Sequence, residues 1–577
     1  MMRININRVP FSVPGTYLSV NEFDRSAWSW VEPGLALRSN RAHEADSVGV
    51  IGYISLIDGD GATIPYDAYV MPGELTLTSG QAEGTVRITF DDSGAIRITG
   101  RGLGLQLTSA PGRFSEVLRI SGRSWYASAR SFDCKYLFTE ASEQVDCARS
   151  ESGVTIRFFG KNWEARISEH RGAVEPDKAA LDEFEPLAKQ RAKDFRDFCD
   201  IVVQGIPEKY KKAAELAAYV NWSSEVGPGG NYPDRVMLMS KNWMNSVWAW
   251  DCAFNAVELS HYDPDGAWAN LACPFHHQGE SGLLPDTVSE HVITTAYTKP
   301  PIHGWAIRRL REAGVLRGDR LGETYRMLAR LVEGWLRTMD WDGDGICQYL
   351  HGNDSGWDNC SAIGWGRAVE APDLSAYLVV CMDELADEAE ELGLIAESEH
   401  WGERSDALLS AFLTHSWDGE RFRVLENGTH GEIENADSLL PFLPLVLGNR
   451  LPKDIFEKLV AGLKEENRFL TPHGLATESV SSPYYKPDGY WLGPIWAPPT
   501  MLIADGLSSG GECNLAKEIA RRFCDTCAES GFAENFNAVT GAPLRDPAYT
   551  WTSSVFLTLA REFVSEDDNE FPQDLTE

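Results

Sequence analysis

The chain has 577 residues, 43% apolar and 11% aromatic, enough to bury a large core and form two or more domains. Its 86 acidic residues against 52 basic ones give a formal net charge of −34, which repels phosphate backbones and anionic lipid surfaces and argues against nucleic-acid and membrane partners. No stretch is apolar enough for a signal sequence or for a membrane span of ~20 residues, so a soluble, cytoplasmic protein is expected.

From about Val13 to Ser168, short alternating runs such as GTVRITF and AIRITG are separated by Gly, Asp and Ser turns. This pattern predicts an antiparallel β-sandwich over residues 1–170. The charged stretch EPDKAALDEFEPLAKQRAKDFRDFCDIV has apolar residues at helical spacing and reads as a linker helix over 171–206. Beyond Pro207 the period changes to helices of roughly 15 to 22 residues, eleven or twelve in number. Among them are GETYRMLARLVEGWLRTM and PDLSAYLVVCMDELADEAEELG. Paired helices with alternating short and long loops fit an all-α (α/α)6 barrel over 207–577, with the long loops gathered at one end. A helical solenoid is the rival, but no repeat of fixed period is visible.

The residues that could carry chemistry also follow in chain order. Trp243, Trp248, Trp250, Trp357, Trp365, Trp491, Trp496 and Trp551 lie in or beside loop segments. Indole faces suit the apolar C–H face of a sugar ring, although core packing also recruits tryptophan. Asp251 in WAWDCAFNA could bind hydroxyls or simply cap a helix. Asp340, Asp342 and Asp344 in DWDGDGICQYLH begin like a calcium loop, but His351 stands where a bidentate Glu is expected, so a turn competes with a weak calcium site.

Asp358 lies between Trp357 and Asn359 in GNDSGWDN, where an apolar neighbour would raise a carboxyl pKa, or where an Asp would merely shape a turn. Glu534 lies in ENFNAVTG, a loop that leads to the last helix. Cys524 and Cys527 form a C-x-x-C pair inside a helical pattern, without a second pair for zinc. Dinucleotide, P-loop and H-E-x-x-H motifs are missing from the sequence, and no cofactor is expected beyond a possible structural calcium.

WAWDCAFNA at 248–256, DSGWDN at 354–359, YWLGPIW at 490–496 and ENFNAVTG at 534–541 with its trailing YTWTSS come in an order that resembles glycoside hydrolase family 63. They more distantly resemble the family 37 trehalases. The resemblance implies an (α/α)6 barrel and an inverting mechanism, with the general acid on Asp358, the general base on Glu534 and a sugar-binding Asp on Asp251 beside Trp250. It suggests further substrate contacts at Trp243, Gln278, Asp286, Trp357, Asn359, Trp365, Arg367, Trp491, Trp496 and Trp551.

Two departures bear on specificity. Leu492 stands where the family often has Arg, and Asp354 where it usually has Glu. The implied reaction is exo-hydrolysis of a small carbohydrate substrate, foremost an α-glucoside, with a trehalose-like or a mannosyl- or glucosylglycerate-like substrate as the alternative. A non-catalytic sugar-binding protein on the same scaffold is the rival from another class. Linkage, aglycone and oligomeric state stay open at this stage.

Overall fold

The computed structural model describes residues 2–24, 31–41, 48–110, 112–121, 123–130, 133–140, 145–150, 153–174, 183–363, 366–433 and 437–564. The chain divides into two compact units. Unit 1 comprises Met1–Val203, Ala218–Asn245 and Ser289–His291, and unit 2 comprises Gln204–Ala217, Ser246–Val288 and Val292–Glu577.

Unit 1 is built on two antiparallel sheets. One runs in the order Leu18–Phe23, Gly34–Ser39, Val50–Ile57, Gly104–Ser109, Gly153–Phe158, Val145–Ser150, with Thr63–Ile64 on the side of Val50–Ile57. The other runs Glu116–Arg119, Ser124–Ala129, Cys134–Glu140, Asn162–His170, Ile96–Arg101, Thr85–Phe90, Glu74–Thr78, Asp67–Met71. The alternation seen in the sequence buries Val86, Ile88, Ile96 and Ile98 from one sheet and Leu37, Leu56, Leu105 and Ile156 from the other. Phe11 meets Phe90 and Phe158 stacks on Trp163 across the interface.

The segment expected to link the domains does not stand free. Helix α1 (Phe184–Val202) buries Phe184, Ala188, Phe195, Cys199 and Val202 along one stripe and packs on the second sheet, where Arg87 pairs with Glu185 and lies over the Phe184 ring. Residues 218–245 also fold with unit 1. The buried Lys241 ammonium donates to Ser12 Oγ (3.1 Å), Thr16 O (2.8 Å) and Glu225 O (3.0 Å), and burial pushes its pKa down to about 7.

Unit 2 is the helical barrel. Helices α2 (Lys211–Ser224), α3 (Asp251–Leu259), α4 (Pro264–Phe275), α5 (His303–Glu312) and α6 (Asp319–Thr338) come first, α2 continuing into unit 1. The single turn α7 (Gly352–Ser355), then α8 (Pro372–Glu391) and α9 (Ile395–Ser416), follow. A 3-10 segment Leu440–Arg450, α10 (Lys453–Leu463), α11 (Ala497–Ser509), α12 (Cys513–Ser530) and α13 (Thr550–Glu562) complete it.

Helices α3, α5, α8, the 3-10 segment, α11 and α13 contact one another in that order, and α13 returns to α3, which closes an inner ring. Helices α4, α6, α9, α10 and α12 pack on this ring from outside. Inner helices are buried almost all round, as in α13 from Thr550 to Ala560, whereas outer ones such as α6 bury only a stripe that includes Leu321, Leu328, Leu331 and Trp335. Cys524 and Cys527 are buried residues of α12. Among the described residues no helix is long and apolar enough to cross a membrane.

Candidate active site

Three of the motif segments run into the N-terminus of an inner helix: Trp250 into α3, Trp496 into α11 and Tyr549 into α13. Backbone hydrogen bonds gather them. Ile495 and Phe536 exchange both of theirs (2.7 and 3.0 Å), Tyr549 N donates to Phe532 O (2.7 Å), and Glu534 N donates to Asp546 O (2.7 Å). Trp248 pairs with Thr287, and Ala249 N donates to Asp286 O (3.0 Å), which brings Asp286 beside Asp251.

The acid segment folds as a capped turn. His351 Nδ1 accepts from Asn353 N (3.0 Å), while Asp354 Oδ2 accepts from Leu350 N (3.1 Å) and His351 N (3.0 Å), forming a capping box around α7. Asp354 Oδ1 accepts from Thr298 N (3.1 Å). Both oxygens of Asp354 are therefore used to shape the turn. Gly356 ends the turn at φ 72°, and a Cβ there would stand 2.5 Å from the Trp250 indole. A side chain on Gly352 would overlap the Asp358 carbonyl.

Asp358 emerges half-buried from this turn, while Glu534 is only 4% exposed. Tyr490 borders both carboxyls, close enough for its hydroxyl to interact with each. Tyr490 holds a positive φ of 64°, rare for a bulky residue. Asn359 fixes it there: its Nδ2 donates to Gly489 O (3.0 Å) and its Oδ1 accepts from Trp491 N (2.9 Å), one residue on either side of Tyr490.

Asp251 opens α3, but its side chain does not cap the helix. Its Oδ1 accepts from the Tyr549 hydroxyl (3.1 Å), and its buried Oδ2 has no hydrogen-bond partner among the described residues. Lys299 Nζ bridges Asp286 Oδ1 (2.9 Å) and Asn353 O (2.7 Å), tying the Asp286 segment to the acid turn. Arg545, also at positive φ (64°), pairs with Asp488 (2.7 Å) and lies 5.8 Å over the Tyr490 ring.

These carboxyls share one low-dielectric site. Burial, opposed by Lys299 and the Tyr549 hydroxyl and reinforced by Asp286 and Asp358, pushes Asp251 up to about 8. Burial together with Asp546 and Asp251 does the same to Glu534, to about 8. Asp358 is raised by burial and by Asp286, while Lys299 and Tyr490 oppose the shift. The carboxyls act on one another, so their protons belong to the coupled group rather than to one carboxyl.

The tryptophans turn out to pack on one another. Trp491 stacks on Trp496 (4.1 Å, 5°), Trp357 lies 4.7 Å from Trp491, and Trp250 and Trp496 meet Trp551 at 5.7 and 5.5 Å. All five are at most 3% exposed. They form a rigid aromatic floor and offer little open indole face, a correction to the sugar-stacking expectation, because each ring is already covered by its neighbours.

Other expected contacts lie elsewhere. Trp243 packs against Phe23, Ala36 and Val50 in unit 1. The Gln278 amide is committed to Gly282 O (2.6 Å) and Met327 O (3.2 Å). Arg367 is exposed, and Trp365 lies outside the described residues. The site's unforeseen members are Tyr490, Lys299, Tyr549, Asp546 and Arg545. Tyr490 and Tyr549 stood inside the quoted motifs, so a reading that weighed tyrosine beside tryptophan could have found them.

His351 caps the acid turn through its ring nitrogen, while Asp340, Asp342 and Asp344 each bring a carboxylate oxygen within 4.8 Å of the others. Asp340 accepts from Gly343 N (2.9 Å) and Gly345 N (3.1 Å), as an Asp in a turn does.

A family model described as the mannosylglycerate hydrolase MGH1-like glycoside hydrolase domain matches residues 244–552, a span that holds Asp251, Asp358 and Glu534. The chain is 23% identical over 452 residues to the mannosylglycerate hydrolase of Rubrobacter radiotolerans, covering 60% of this chain and 96% of that one. It is 23% identical over 412 residues to the glucosylglycerate hydrolase of Mycolicibacterium hassiacum, covering 54% and 91%. Among solved structures it is similar to a bacterial glucoamylase complexed with acarbose, with a TM-score of 0.62 and 12% identity over 96% of this chain and 93% of that one. At that identity the likeness speaks for the fold alone.

Proposed function

The chain belongs to the mannosylglycerate hydrolase MGH1-like glycoside hydrolase family, within glycoside hydrolase family 63, and from that premise we propose that it hydrolyses an α-glycosidic bond between a hexose and a small hydroxy acid of the glycerate type, with inversion. It is a glycoside hydrolase; the substrate, the stereochemistry and the residue roles are the proposal. The observation that carries it is that Asp358 and Glu534 both border Tyr490, beside the unpartnered oxygen of Asp251.

In this reading Asp358, reached from the half-exposed side, gives its proton to the glycosidic oxygen. Glu534 deprotonates a water that attacks the opposite face of the anomeric carbon, and no covalent intermediate forms. Asp251 Oδ2 accepts a hydroxyl of the hexose, which satisfies a buried acceptor that otherwise lacks a partner. The aromatic floor holds these carboxyls in place and keeps the local dielectric low.

The relatives' names favour a hexosylglycerate over an ordinary α-glucoside. Such an aglycone carries a carboxylate and needs a cation near the acid. The arginine that the family often places in YWLGPIW is Leu492 here. In this reading Arg545, over the Tyr490 ring and paired with Asp488, takes that role.

Purified protein offered α-mannosylglycerate, α-glucosylglycerate, trehalose, maltose and aryl α-glycosides separates the readings. A hexosylglycerate is expected to have the highest kcat/KM, with the β-anomer of the free sugar appearing first by NMR. Preference for trehalose or maltose would remove the glycerate aglycone, and an α-anomer first would remove inversion.

A further inference from the structure

The loop that carries Asp358 has a neck. Tyr349 and Val369 exchange both backbone hydrogen bonds (2.8 Å each), and the two-residue strand Val369–Glu370 pairs with Leu425–Glu426. Beside this neck lie Asp344 and Glu370, joined by two imidazoles from distant parts of the chain. His415 comes from the last turn of α9, and His430 from the turn after Leu425–Glu426, where it holds a φ of 51°.

The donor atoms converge. His415 Nε2 lies 2.7 Å from Glu370 Oε2, and its Nδ1 lies 3.6 Å from Asp344 Oδ2. His430 Nε2 lies 3.5 Å from Asp344 Oδ2, 3.9 Å from Glu370 Oε1 and 2.9 Å from Asp342 Oδ2. One ligand atom from each of Asp344, Glu370, His415 and His430 lies within 4.8 Å of every other. Donors around a tetrahedral ion with bonds of about 2.0–2.1 Å stand about 3.3 Å apart, so the gaps of 3.5 and 3.6 Å from Asp344 to the two imidazoles need to close by only a few tenths of an ångström.

Two further observations point to an ion rather than to hydrogen bonding alone. The Glu370 carboxylate is 0% exposed, and Asp342 and Asp344 face the same imidazoles, so oxygen and nitrogen donors from four separate segments of the chain converge at one point. Asp344, His415 and His430 also line a surface cavity of about 800 Å3, which gives an ion a way in. Arg423 lines that cavity too, but its Nη2 is turned to the His415 carbonyl (3.0 Å).

We propose that Asp344, His415 and His430 bind a divalent transition-metal ion of the zinc class, with Glu370 orienting His415, so that the ion clips the neck of the acid-bearing loop. His415 donates Nε2–H to Glu370 Oε2 and offers Nδ1 to the metal, with the carboxylate fixing the tautomer. Glu370 stays outside the coordination shell, and its Oε1 is held by Asn427 Nδ2 at 2.8 Å. Imidazole nitrogens select zinc, cobalt or nickel over calcium, which takes oxygen ligands.

The test uses the full chain, dialysed against a chelator and titrated with Co2+ as an optical probe and with Zn2+ in competition. One Co2+ per chain with a tetrahedral visible band, displaced by Zn2+, is expected, and Zn2+ but not Ca2+ should raise Tm. His430→Ala, at a partly exposed side chain, should weaken Co2+ binding about 10- to 100-fold without loss of fold. The proposal is overturned by the absence of a band, by Ca2+ raising Tm as much as Zn2+, or by His430→Ala binding Co2+ like the parent chain.

Discussion

The acid and base halves of the site are built by different means. Asp358 rides on a turn whose hydrogen bonds are mostly internal, from Asp354 and His351 to their own neighbours, with Thr298 as an outside anchor. Glu534 is held by partners far along the chain: Ile495 pairs with the adjoining Phe536, Asp546 takes the Glu534 N–H, and Trp551 Nε1 donates to the Glu534 carbonyl (3.4 Å). The locally built carboxyl is half-exposed and the remotely held one is buried. A donor that must meet a leaving group and recover its proton from solvent benefits from the first arrangement. A base that must act on one trapped water benefits from the second.

The largest effects should come from breaking each half in turn. Asp358→Asn and Glu534→Gln are each expected to lower turnover of the natural glycoside by about 100- to 10,000-fold. They should part company on a dinitrophenyl glycoside, whose leaving group needs no proton. Asp358→Asn should recover much of its rate there, and Glu534→Gln should not. Rescue of the Glu534 variant instead would exchange the two roles.

A smaller effect is expected at the residue that joins the halves. Tyr490→Phe removes one hydroxyl and should lower kcat/KM by about 2- to 10-fold, the scale of a single net hydrogen bond. The pH profile carries more information. With both carboxyls raised and coupled, the alkaline limb of kcat/KM should lie above the ordinary carboxylate range, where the shared proton leaves the pair. The Tyr490 hydroxyl stabilises the ionised form of Asp358, so its removal raises that carboxyl's affinity for the proton and moves the alkaline limb to higher pH. A profile that stays in place would mean that Tyr490 does not couple the two carboxyls.

The same contrast explains what could be read from the sequence. Inner helices buried all round and outer helices with one apolar stripe both leave helical runs, so the barrel was legible, as was the strand alternation of unit 1. Asp358 and Glu534 were legible only through the order of four motifs, since an Asp in a Gly-rich turn and a Glu in a loop are ordinary by themselves. Lys299 and Arg545 left no trace, because their roles arise from a salt bridge to Asp286 and a position over Tyr490, contacts that depend on tertiary closure. Trp243 and Gln278 misled for the converse reason. Their types suit a sugar site, while their neighbours in space put one in the apolar packing of unit 1 and the other on carbonyls beside α6.

The finest probe of the contrast is a pair of glycines. Gly356, two residues before Asp358, has φ 72°, and Gly541, seven after Glu534, has φ 68°. A Cβ would stand 2.5 Å from the Trp250 indole at the first and 2.6 Å from the His473 ring at the second. Alanine at either position takes on an unfavourable backbone conformation and a steric contact, so each variant should lose about 1–3 kcal/mol of stability, seen as a lower Tm. Their effects on turnover should differ. Gly356→Ala tilts the one turn that aims Asp358, so kcat should fall several-fold. Gly541→Ala disturbs a hairpin tip, while Glu534 keeps its ties to Asp546 and Trp551 and, through Phe536, to Ile495, so kcat should stay near that of the parent chain. Equal losses of kcat in the two variants would mean that the base is no better insulated from its own loop than the acid is.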